Sequence, residues 1–157
     1  MPTFDHIYVA TEADPEDVAE QIAEATGMSL EVASVDPILT RAAESGLVTC
    51  VLRENFLGDP DASGPDRTLL DSYSLMLQIH QKGADLATQF GQAEEIFTEM
   101  SRRIAAPLAL TRGNGVLVGV SLGVSEPTWM PDGTSPSAVS RPRWEAFDPA
   151  SRTTDDL

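Results

Sequence analysis

One cysteine, one lysine and two histidines are all that this chain of 157 residues holds of the side chains that most often form disulfides, anchor phosphates or bind metals. The lone thiol, Cys50, excludes an internal disulfide and a cysteine metal cluster, and its place in the apolar run LVTCVLR suits a small buried hydrophobe. His6 and His80 both fall in segments that read as strands, and with Cys50 the sole thiol a zinc site around them would lack further soft or nitrogen ligands. The opening MPTFDHIYVATEADPED has neither a basic stretch nor an apolar one, and no run approaches the roughly 18 apolar residues that a membrane span requires. These absences predict a cytoplasmic protein without a membrane span. Catalytic motifs are missing too: no G-x-S-x-G occurs, and the turn Gly113-Asn114-Gly115 lacks the lysine and spacing of a phosphate loop. Acids are plentiful, but nothing singles out a pair for acid and base work, so the chain reads as a protein that is not an enzyme and needs no cofactor.

Positive charge is the other scarcity. Lys+Arg number 10 against 25 Asp+Glu, a net of −15. Residues 1–66 hold fourteen acids and two bases, Arg41 and Arg53, whereas residues 67–120 hold five of each. A field so concentrated repels nucleic acid and anionic lipid and speeds encounter with a basic protein. Solubility is the bland alternative use of such charge.

What is present reads as one domain. Residues 3–10 alternate as a strand with Ile7 and Val9 on one face and Phe4, His6 and Tyr8 on the other. Asp14-Pro15-Glu16-Asp17 is a helix start, with Asp14 at the cap, Pro15 in the first turn and acids at the positive end of the dipole. Val18, Ile22 and Ala25 supply its apolar stripe, Gly27 its stop, and Glu16, Asp17, Glu20 and Glu24 its outer face. Residues 28–46 fit either a hairpin arm or a short helix begun at Asp36-Pro37. Residues 47–53 are a strand, 58–66 (GDPDASGPD) a loop, and 73–80 a half-buried strand. A helix follows over 86–105, striped by Leu86, Phe90, Ala93, Phe97, Met100 and Ile104, until Pro107 ends it and Leu108-Ala109-Leu110 begins another strand. Val116 to Val120 offers a further strand or the close of the last hairpin.

Strand, helix, strand, strand, helix, strand is the order of a ferredoxin-like βαββαβ two-layer sandwich, so the expected fold is α+β, an antiparallel sheet with both helices on one face. The domain is expected over residues 1–120, with 121–157 as a C-terminal tail rich in proline and serine. Trp129, Trp144 and Phe147 within that tail suit a segment folded back over the bare sheet face, with a partner-binding peptide as the alternative. The loop Asp59-Pro60-Asp61-Ala62-Ser63-Gly64 opens like a calcium loop, but Pro65 and Leu70 stand where further ligands belong, so it reads as an acidic turn without a metal.

The strand pair 47–53 and 73–80, joined by this acidic loop and followed by the helix 86–105 and PLAL, resembles the small acidic α+β immunity proteins of bacterial polymorphic toxin systems. The likeness covers residues 3–120 and is one of layout. It implies a protein that binds and blocks a cognate toxin domain, and it assigns no residue by position. Electrostatics alone points to the same class: an inhibitor of a basic partner protein, met by Glu16, Asp17, Glu20, Glu24, Glu54, Asp59, Asp61 and Asp66. Two other classes compete. A secretion or assembly chaperone would be a stable dimer offering an apolar groove, and a small-molecule enzyme would use the bare sheet face, with His6, Tyr8 and His80 as polar groups in a concave pocket.

Overall fold

The computed structural model describes residues 3–32, 35–113 and 115–150. Eight strands run as β1 (Asp5–Val9), β2 (Ser29–Glu31), β3 (Ile38–Arg41), β4 (Val48–Glu54), β5 (Leu75–Gln81), β6 (Leu108–Arg112), β7 (Val116–Ser121) and β8 (Thr128–Trp129). They form one sheet in the order β2-β3-β4-β5-β1-β6-β7-β8, with every neighbouring pair antiparallel. Helices α1 (Pro15–Thr26), α2 (Leu86–Arg103) and α3 (Arg141–Trp144) complete the fold.

These elements correct the expected four-stranded, two-helix ferredoxin-like sandwich. The segment between α1 and β4 forms a hairpin that widens one edge of the sheet, β7 and β8 widen the other, and a third helix lies beyond them. The reason is local and physical. Leu39 of β3 is the only side chain in β2 and β3 that is fully buried, so this hairpin carries little of the alternation that marks a strand in a sequence. Its pairing with Cys50 of β4 is what places it. Both edge strands are short, which limits the unpaired backbone they expose.

α1 and α2 share one face of the sheet. Val18, Ile22 and Ala25 of α1 and Phe90, Ala93, Phe97 and Met100 of α2 bury themselves against Ile7, Val9, Cys50, Leu52, Leu77 and Ile79. Ile96 joins this core, whereas Leu86 stands exposed at the first residue of α2. Asp85 caps that helix, its side chain accepting from the Thr88 N–H at 2.7 Å. Gly119 of β7 is required here, because a Cβ would lie 3.0 Å from both the Phe97 and the Trp129 rings.

The other face is covered over β1, β6 and β7. Tyr8, Met76, Ala109, Leu117 and Val120 meet Leu69, Leu70 and Tyr73 from the β4–β5 connection and Trp144 from α3. The Trp144 indole N–H donates to the Ser137 carbonyl at 3.1 Å, which satisfies the one polar atom that its burial would otherwise orphan. Arg67, Ser72 and the buried Asp148 hydrogen-bond to one another, tying this cover to the same connection.

Candidate functional site

Every arginine among the described residues is engaged within the molecule. Arg41 of β3 reaches α2, with Glu99 at 3.2 Å and Glu95 at 3.5 Å, and Arg53 meets Asp36 at 3.4 Å. Arg67 is held by Asp148, and Arg102 by Glu126 at 2.7 Å. Arg103, Arg141 and Arg143 donate to backbone carbonyls, and Arg112 lies 4.9 Å over the Phe90 ring. The described arginines are spent on the fold, Lys82 is the one exposed base among the described residues outside these contacts, and the unpaired surface charge is therefore mainly acidic.

The eight carboxylates expected to meet a partner are all exposed and, among the described residues, none takes part in a salt bridge. They form two sets. Glu16, Glu20 and Glu24 stand four residues apart on α1, with Asp17 beside them, and α1 contains no base. Like charges at that spacing cost a helix about 0.2–0.5 kcal/mol per pair, and Glu24 in the last turn also faces the negative end of the dipole. Glu54, Asp59, Asp61 and Asp66 belong to the end of β4 and the loop after it. None of the larger grooves is lined by both sets: Glu24 borders one with Glu99, Arg102 and Arg103, and Glu54 another with Gly58, Pro60 and Asp71.

The loop set gains a neighbour in Glu12, and a brace in Asp71, that the sequence did not suggest. A cleft of about 640 Å³ brings Glu12 beside Pro60 and Asp71. Asp71 braces the loop, one carboxylate oxygen accepting from the Asp59 N–H at 2.7 Å and the other from the Thr68 N–H at 2.8 Å. Asp59 likewise accepts from the Asp61 N–H at 3.0 Å. These carboxylates answer backbone donors, and among the described residues no group of three or more His, Cys, Asp and Glu is placed to hold a metal. Only the register of a loop closed by tertiary contacts reveals Glu12 and Asp71, which lie 59 positions apart by their numbers.

The histidines sit on the sheet face opposite α1 and α2. His6 stacks on Tyr8 with ring centroids 5.9 Å apart and Phe4 edges onto His80 at 5.8 Å. Burial lowers the His6 pKa, against smaller upward pulls from the Gly113 backbone and Asp5. Burial also pushes the Cys50 thiol up to about 12, which leaves it an inert core side chain. The clefts at Asp71, at Arg141, at Glu24 and at Glu54 are lined by residues other than His6, Tyr8 and His80. In a cleft wall the half-buried Ser72 meets the buried Asp148, and the contact is completed by a guanidinium where a nucleophile would need a base.

No helix among the described residues is long and apolar enough to cross a membrane. Comparison with family models, with curated proteins and with solved structures finds no match to this chain.

Proposed function

We propose that this protein is a non-enzymatic inhibitor of the immunity type, which binds and blocks a basic partner protein through its exposed carboxylates. The observation that carries the reading is the one-sided use of charge. Each described arginine is committed to an internal contact, while Glu16, Asp17, Glu20, Glu24, Glu54, Asp61 and Asp66 stay solvated and unpaired. Like charges four residues apart along α1, with Glu24 at the negative end of its dipole, are better suited to steering a cationic partner than to holding the fold. The competing enzyme reading needs a concave pocket at His6, Tyr8 and His80, whereas the clefts at Asp71 described above are lined by other residues.

The test uses the basic protein that the tagged chain retains from an extract of its own organism at low salt. In Glu16→Lys, Glu20→Lys, Glu54→Lys, Asp61→Lys, the association rate at low ionic strength should fall by about tenfold or more, with a shallower dependence on salt. A stopped-flow rate equal to that of the unaltered protein removes the proposal.

A further inference from the structure

We infer that the turn after β4, residues 55–59, is the centre of the partner interface, with Phe56 and Leu57 as apolar anchors for a pocket rimmed by lysine and arginine on a basic protein. This rests on the binding role proposed above and names the surface that performs it. Phe56 is 69% exposed and Leu57 53%. Single apolar side chains on a surface are ordinary. Two neighbours on a turn that is braced from beneath are not, because a pliant loop would fold at least one of them inward.

The bracing is extensive. Asn55 is buried, its side-chain amide donating to the Leu70 carbonyl at 3.0 Å and the Tyr73 carbonyl at 2.9 Å while its Oδ1 accepts from the Leu57 N–H at 3.0 Å. The Asn55 N–H donates to the Ser74 carbonyl at 2.9 Å. Gly58 fits so closely that a Cβ would come within 2.4 Å of the Leu70 carbonyl oxygen. The Asn55 side chain faces inward with its polar groups satisfied, and the apolar pair is left outward. A preorganised anchor of this kind loses little freedom on binding, and buried aromatic anchors are where interfaces concentrate affinity.

Charge decides the occupant. Glu54 and Asp59 stand on either side of the pair, Asp61 follows, and a cleft of about 190 Å³ beside the turn is bordered by Glu54 and Asp71. The nearest arginines in sequence, Arg53 and Arg67, are held by Asp36 and Asp148. An apolar pair flanked in the chain by exposed carboxylates that form no salt bridge complements an apolar pocket with a cationic rim.

The experiment places benzoylphenylalanine at position 56 of the full chain, and at exposed Val139 as the control, and irradiates each in an extract of the protein's own organism at low salt. Competitors are the unaltered protein, Phe56→Ser/Leu57→Ser and Glu54→Lys/Asp61→Lys/Asp66→Lys. The inference expects one basic protein crosslinked from position 56 and not from 139, suppressed by the unaltered competitor, with at least about tenfold more of the serine variant needed for the same suppression. Equal suppression by the serine variant, with the lysine variant inert, overturns the anchors and leaves the acidic reading standing. Retention of a basic protein by the tagged chain without a crosslink at 56 does the same. If no basic protein is retained at all, both fall. Both anchors are exposed, so an unchanged melting curve for the serine variant separates lost contact from lost fold.

Discussion

Arg67 and Glu16 carry opposite charges of equal size, yet one is sunk in the structure against Asp148 and the other faces water without a partner. Which charges remain available is decided residue by residue, and Asp71, turned onto two backbone amides, shows that an acid can belong wholly to the fold. His6 carries a prediction at this scale. Folding holds its ring neutral, because burial lowers its pKa from the ordinary 6.5. Below that value the unfolded chain takes up a proton that the folded chain does not, so stability is lost as pH falls through the 6.5 region toward the folded pKa. Urea unfolding of His6→Gln should therefore show a flatter decline between about pH 7 and pH 5.5 than the parent chain. Identical slopes would mean that other groups account for the acid sensitivity. His6 and Cys50 were placed in strands from sequence alone, since alternation fixes the face of a side chain, but the lowered pKa of one and the inertness of the other depend on what packs over them.

Elements were legible where their patterns were long. The capped start at Asp14 and Pro15, the glycine stop at Gly27, the stripe of α2 and the runs of β4 and β5 are local signals, and each element forms within a few residues of its expected bounds. The segment of β2–β3 fits a hairpin arm or a short helix equally well by its local pattern, Val116 to Val120 fits an added strand or the close of a hairpin, and the two-residue β8 is too short for a period to show, so the four-stranded expectation leaves all three outside the sheet. Trp144 tests the cover on the second face. It is 1% exposed and contacts a cluster that includes Tyr8, Leu69 and Val120, so Trp144→Ala should cost about 3–5 kcal/mol in denaturant unfolding. A loss below about 1 kcal/mol would show that the C-terminal cover contributes little to the stability of the sheet.

Over the whole molecule, a net charge of −15 with the arginines already engaged leaves the folded chain repelling itself. Raising sodium chloride from about 0.01 M to 0.15 M shortens the screening length from about 30 Å to 8 Å, so the melting temperature should rise. A fall would mean that the internal ion pairs outweigh the unpaired acids. Only the closed fold places Glu12 and Asp71 in one cleft and leaves Phe56 and Leu57 outward on a turn braced by Asn55 and Gly58. The sequence by itself determined the α+β class, the two long helices, the central strands and the acidic excess of the first 66 residues, because composition, capping and periodicity act within a few residues of chain. The tertiary structure decided the width of the sheet, the cover on its second face and which charges remain free, because those depend on contacts between residues that are distant in sequence and that no local pattern encodes.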